Sequence, residues 1–224
     1  MGTYNNFLGF RQLIAVSILF LFFVSSFANS PVLAKVDPTP KKEIENLVNQ
    51  VLAVLKDPGL KSPDKRELRR EKLRRLVRQI FDLDDISHRV LGRYNRRFDK
   101  KQFERFKELF SKMLESIYLT RIENYSGEKV IFEDERMLSP TKAAVPTKII
   151  KDGQEIPVEY RLLKRKKDGK WIGYDVVIEG VSLVKNYRSQ FYQVLKKKNV
   201  EELLSMMEEK VKKLSKQNTK GKVS

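Results

Sequence analysis

The amino-acid sequence predicts an α+β fold: a curved four-stranded antiparallel sheet cupped by helices that come before and after it. Three observations carry this reading. Apolar residues recur with helical spacing up to about residue 124, the period changes to β-rich segments between 129 and 179, and helical spacing returns after Gly180.

The elements follow in order. Residues 35–40 read as a linker. Ile44, Leu47, Val48, Val51, Leu52 and Leu55 then mark an amphipathic helix stopped by Asp57-Pro58-Gly59. Ser62 as N-cap and Pro63 at the first helical position open a second helix, with Leu68, Leu73, Leu76, Val77 and Ile80 on one face. Its other face carries Arg69, Arg70, Lys72, Arg74, Arg75 and Arg78. Asp84 or Asp85 is expected to cap a short helix ending near Gly92. Asp99 is expected to cap a longer one whose apolar stripe, from Phe103 through Phe106, Leu109, Phe110, Met113, Leu114, Ile117 and Tyr118 to Ile122, is wider than one neighbouring helix requires. Strands are expected over 129–136, 141–150, 154–165 and 170–179, with Asp152-Gly153 and Asp168-Gly169 at tight turns. In the last strand Ile172, Tyr174, Val176 and Ile178 alternate with Trp171, Gly173, Asp175, Val177 and Glu179. Two further helices follow, the second ending near Leu214, and 216–224 is expected to be a polar, frayed tail.

The chain begins with a segment that reads as a leader. Arg11 precedes an uncharged run over 13–24 that is short for a bilayer span and of the right length for a signal-peptide core. Cleavage is expected after Ser30 or Ala34, and the alternative is an uncleaved anchor. The domain boundaries expected are therefore 1–34 signal peptide, 35–215 a single domain and 216–224 tail. About 190 mature residues suffice for one real core. The absence of cysteine leaves neither disulfides nor thiolate metal sites to hold it.

Lys and Arg number 46 against 29 Asp and Glu, a formal charge of +17. Such a charge invites a nucleic-acid reading, but export, the dispersal of the basic residues and the lack of any nucleic-acid motif argue against it. The plain reading is a solvated basic surface, and the functional alternative is attraction to anionic headgroups or acidic partners. Catalytic chemistry finds few groups: His88 is the only histidine, and no P-loop, dinucleotide fingerprint, nucleophile elbow or EF-hand loop occurs. No enzymatic activity, metal or cofactor is expected.

The segment 170–191, K-W-I-G-Y-D-V-V-I-E-G-V-S-L-V-K-N-Y-R-S-Q-F, resembles the signature of the MlaC, or toluene-tolerance, family, in which such a run joins the last strand to the next helix. Phe81-Asp82, Arg89-Val90-Leu91-Gly92, the series Phe106, Phe110, Leu114 and Tyr118, and Tyr125-Ser126-Gly127 agree in order and spacing. The resemblance spans about residues 41 to 215. Asn95 departs from it, standing where the family has Trp after R-Y.

The resemblance implies a cup of NTF2-like appearance in a periplasmic, monomeric phospholipid carrier. Such a carrier shuttles between an inner-membrane MCE-type ABC lipid transporter and an outer-membrane lipoprotein complex. The acyl chains would lie between sheet and helices. On that basis Phe106, Leu109, Phe110, Met113, Tyr118, Tyr160, Leu162, Tyr174, Val176 and Ile178 are the candidate lining residues. Arg70, Arg74 and Arg78 are candidates for docking onto acidic partners or headgroups. Gly180 and Ser182 are expected to be structural, and Asn186, Tyr187 and Arg188 are candidates for contact near the glycerol region. The competing readings are a basic envelope scaffold for an acidic partner without lipid and, more remotely, an enzyme for a small apolar substrate in the same cup.

Overall fold

The computed structural model describes residues 38–220. The expected leader and both cleavage sites lie outside the described residues.

Helix α1, Pro40–Lys56, is capped by Thr39, whose hydroxyl accepts from Lys42 N. Its first turn also meets the acidic loop 133–135: Lys41 N donates to Glu135 Oε2 at 2.6 Å and Lys41 Nζ pairs with Asp134 at 3.2 Å. Carboxylates at a helix N-terminus complement its dipole. Two 3₁₀ turns, Pro58–Leu60 and Pro63–Lys65, lead to α2, Arg66–Ile80. Ser62 makes no side-chain cap bond, because Pro63 opens the 3₁₀ turn rather than the helix expected there. Helix α3, Leu83–Leu91, is capped by Asp82, which accepts from the N–H groups of Asp84 and Asp85. The two expected caps sit one turn too far in. Asp99 and Gln102 form a capping box at α4, Lys100–Leu114. A π-helical turn, Glu115–Leu119, then passes into α5, Thr120–Glu123.

The sheet has six strands in the order β1-β3-β4-β5-β6, all antiparallel, with β2 also paired to β3. The long lanes are β3 (Lys142–Lys151), β4 (Gln154–Lys164) and β5 (Trp171–Ile178). The expected first strand is split into β1 (Lys129–Phe132) and β2 (Arg136–Ser139), because the 133–135 loop leaves the sheet to cap α1. Two residues, Val181–Ser182, form β6. Asp152 and Gly153, both at positive φ, make the β3–β4 hairpin. Where β4 meets β5 the register slips: Arg161 faces Asp175 but Leu162 faces Gly173, which leaves Tyr174 bulged. Gly173 lies against Phe81, and a Cβ there would come within 2.3 Å of that ring.

Ser182 caps α6, Leu183–Leu195, accepting from Lys185 N. Buried Asp175 completes the cap by accepting from the Ser182 hydroxyl at 2.5 Å and from Val184 N at 3.0 Å. Helix α7, Val200–Lys220, continues past the expected fraying point. The main core joins α3, α4, α6 and α7. Phe106 packs edge-to-face on Phe191 at 5.3 Å and Phe110 on Tyr187 at 5.1 Å, amid Leu91, Met113, Leu195, Leu203, Leu204 and Met207. A smaller cluster seats Ile44, Leu47 and Ile80 on Ala143, Val145, Leu162 and Trp171.

Candidate functional site

Between the sheet and the helices α1, α2 and α4–α5 lies a cavity of about 690 Å³. Helix α1 contributes Leu47, Val48, Val51, Leu52 and Leu55, and α2 contributes Leu73 and Val77. From α4 through α5 come Phe110, Leu114, Tyr118, Leu119 and Ile122, spaced so that one stripe follows the helix through its π-turn. The sheet supplies cross-strand neighbours: Val130 beside Ile149, Ile149 beside Ile156, Val158 beside Ile178, Tyr160 beside Val176. Leu183, Val184 and Tyr187 enter from α6.

Charged and amide groups in this wall are confined to a few positions, and Arg78, Arg121, Asn124 and Lys151 are exposed and so belong to the rim. Asp175 is buried at the wall, but its carboxylate is engaged by the α6 cap, so it offers no free base. Burial pushes the Tyr160 hydroxyl up to about 12 and also pushes Tyr187 up, so both stay neutral in the wall.

Helix α2 is held above this space by ion pairs. The Glu123 carboxylate, its side chain 4% exposed, accepts from Arg66 at 3.0 Å, Arg69 at 3.4 Å and Arg70 at 2.7 Å. Burial by itself would raise the Glu123 carboxyl, but Arg70 and Arg66 outweigh it and hold it below the ordinary carboxylate range. Arg74 pairs with Glu67, Glu71 and Glu115. This tie is polar, and several apolar side chains around the cavity, Val51, Leu52, Val77, Ile149 and Val176 among them, stay half-buried.

Five of the ten candidate lining residues, Phe110, Tyr118, Tyr160, Val176 and Ile178, are brought together around this cavity. The other five lie elsewhere. Phe106, Leu109 and Met113 are in the filled core, because the α4 stripe serves α6 and α7 along one edge and the cavity along the other. Leu162 shares the cavity's face of the sheet but is sealed beneath α1 and α2. Tyr174 is turned away by the bulge and lies under the Arg89 guanidinium, 5.0 Å from its ring centre. Of the candidate docking arginines, Arg70 and Arg74 face Glu123 and Glu115 instead of forming a free basic face, since those carboxylates lie within reach along α4–α5. Arg78 alone of the three remains exposed and without an ion pair among the described residues.

Tyr187 reaches the cavity, whereas Arg188 donates to Arg89 O and Asn186 accepts from Gln190. His88 stacks on Phe103 and meets Asn95 Oδ1 at 3.0 Å, a structural use of both the lone histidine and the departing Asn95. The α1 residues, and Val130 and Ile149 of the β1–β3 lane, are not among the lining residues named from the sequence. Their amphipathic spacing was visible, but it marks a buried face and says nothing of what the face meets.

Comparison with known proteins places this geometry. The profile of the MlaC protein family matches residues 45–209. The intermembrane phospholipid transport system binding protein MlaC of Haemophilus influenzae is 27% identical over 144 residues, 61% of this chain and 67% of that protein. Toluene tolerance protein ttg2D of Pseudomonas putida is 23% identical over 169 residues, 75% of this chain and 78% of that one. Among solved structures, the phospholipid-binding protein of Ralstonia solanacearum, in complex with a phospholipid, superposes with a TM-score of 0.69 at 23% identity. It covers 80% of this chain and 99% of its own. Nearly three quarters of the sequence falls within the family match, with the whole sheet and all but the outer ends of the first and last helices, and the chain belongs to the MlaC family.

Proposed function

We propose that this protein is a periplasmic phospholipid carrier, holding acyl chains in the cavity between sheet and helices while the headgroup stays at the rim. The observation that carries the reading is the cavity itself. Its volume of about 690 Å³ lies within the roughly 300–1,000 Å³ of ligand sites, and aliphatic and aromatic side chains from both layers wall it. The names of the relatives from Haemophilus influenzae and Pseudomonas putida, and the lipid in the Ralstonia solanacearum structure, support the same cargo.

The physical requirement matches the site. Exposing two acyl chains of some thirty methylenes costs on the order of 25 kcal/mol at about 0.8 per CH₂. A lipid therefore crosses an aqueous compartment only inside an apolar cover. Burial supplies the affinity, so the task needs no nucleophile, base or metal. The membership supports partners of the Mla type: an inner-membrane MCE-type ABC transporter and an outer-membrane lipoprotein complex. Among the described residues no helix is long and apolar enough to cross a membrane.

Organic extraction and native mass spectrometry of the purified mature protein test this. The expected outcome is one phospholipid per chain, released on denaturation. A protein that comes out empty, and stays empty after incubation with phospholipid vesicles, would reject the carrier in favour of a basic scaffold without cargo.

A further inference from the structure

The apolar cavity shares part of its wall with a second recess of about 740 Å³, formed where the end of α2, the start of α3 and the middle of α4 meet. Arg78, Phe81, Leu83, Ser111 and Glu115 belong to both. Beyond that seam the second recess is lined largely by charged side chains, so the seam is where the surroundings change from hydrocarbon-like to polar.

The cations around the polar recess are almost all engaged. Lys107 is held by Asp84 at 2.8 Å, and Arg165 by Asp168 at 2.5 Å. At the seam itself the Glu115 carboxylate is taken by Arg74. Two polar groups of the seam are left over. The exposed Arg78 guanidinium and the half-buried Ser111 hydroxyl have no ion pair or hydrogen bond among the described residues.

A phosphodiester tethered to acyl chains cannot follow them into the apolar space, because an unpaired charge there is heavily penalised. It must stop where the wall turns polar. A guanidinium offers two parallel donors that match a phosphate, and a hydroxyl adds a third. We infer that Arg78, assisted by Ser111, holds the phosphate of the cargo at the seam, with the rest of the headgroup in the polar recess. Arg78 is then the residue that makes the carrier select glycerophospholipids over neutral diacyl lipids. The inference rests on the carrier reading and deepens it.

The test loads delipidated mature protein from vesicles containing phosphatidylglycerol and a diacylglycerol of the same chains in equal amounts, with bound species read by native mass spectrometry. The wild type is expected to favour phosphatidylglycerol by roughly ten-fold, the size of one hydrogen bond to a charged group. Arg78→Gln should lose that preference while carrying the same total lipid, Arg78→Lys should keep part of it, and Arg75→Gln, on an exposed site outside both recesses, should keep all of it. A wild type that takes both lipids equally, or an Arg78→Gln protein with the wild-type ratio, would overturn the assignment while leaving the carrier intact. A wild type that takes neither lipid would instead remove the carrier reading, and the assignment with it. Inorganic phosphate is the third arm: binding of phosphate that depends on Arg78, with no change in the lipid ratio between variants, would assign the seam to free anions and reject the headgroup.

Discussion

The domain has two apolar regions built from the same residue types, and only one of them is filled. In the α3–α4–α6–α7 core, Leu91, Phe106, Phe110, Leu195, Leu203 and Leu204 are at most 1% exposed. Around the cavity Val51, Leu52, Val77, Ile149, Ile156 and Val176 remain half-buried. Hydrophobicity does not separate them. In the first region four helices interdigitate directly, and Phe106, Phe110, Tyr187 and Phe191 lock ring against ring. In the second, a curved sheet faces helices held by polar attachments: the arginine cluster on Glu123, Arg74 on Glu115, and the 133–135 loop on the start of α1. Those attachments hold the helices so that their apolar faces reach the sheet at Ile44 and Ile80 but stay apart from it over the cavity. An open apolar space thus follows from what fixes the surrounding elements.

The largest expected effect breaks the filled region. Phe106→Ala should cost about 3–5 kcal/mol in urea unfolding, because a rigid aromatic core cannot collapse onto the void. The fraction that remains folded should carry its usual cargo. Val176→Trp is the reverse experiment. It should fill the cavity and abolish co-purified phospholipid, at a stability cost below the roughly 1–3 kcal/mol that overpacking imposes on a filled core. A Val176→Trp protein that still carries lipid would show that the cavity is not the cargo site.

Glu123→Gln comes next. It leaves three arginines facing a neutral amide and should cost about 1.5–3 kcal/mol, the worth of hydrogen bonds to a charged partner. Hydrogen exchange should locate the loss of protection in α2 and α5 while α6 and α7 are unchanged. Uniform loss across all helices would mean that the two regions are one cooperative unit rather than separately held.

The smallest effect is on pH dependence. Glu128, at the cavity rim, accepts from its own N–H and from Ser126 N and faces Lys151 at 3.1 Å, which holds its carboxyl down at about 2. A depressed carboxyl stabilises the fold in full above its ordinary value of 4.5, and the contribution disappears as pH falls towards about 2. Glu123 acts with the same sign. The urea midpoint should therefore drop across that window, and Glu128→Gln should make the drop shallower without altering the midpoint's dependence on pH above about 5. An unchanged slope in the variant would remove Glu128 from the account.

Much of the fold was legible because periodicity reports local chemistry faithfully. The six apolar positions of α1, the Asp99 cap, the Asp152-Gly153 hairpin and the Ser182 cap each depend on residues within a few positions of one another. Where a distant segment intervenes, the reading shifted. The strand expected over 129–136 is cut because its acidic loop caps a helix some ninety residues earlier, with Lys41 N on Glu135 at a separation of 94. Tyr174 is turned outward by a one-residue slip against β4, and alternation within β5 alone carries no trace of that slip.

The sequence by itself determined the helix–sheet–helix order, the caps at Asp99 and Ser182, the Asp152-Gly153 turn, the amphipathic faces and the family, since these rest on residue identity and short spacing. Only the tertiary structure decided which apolar face would be filled and which left open. It also decided that Arg66, Arg69, Arg70 and Arg74 turn to Glu123 and Glu115 while Arg78 stays at the seam of the two recesses. The reason is that an apolar stripe or a row of arginines specifies a surface and its chemistry. What that surface meets depends on the distance and angle of elements far away in the chain.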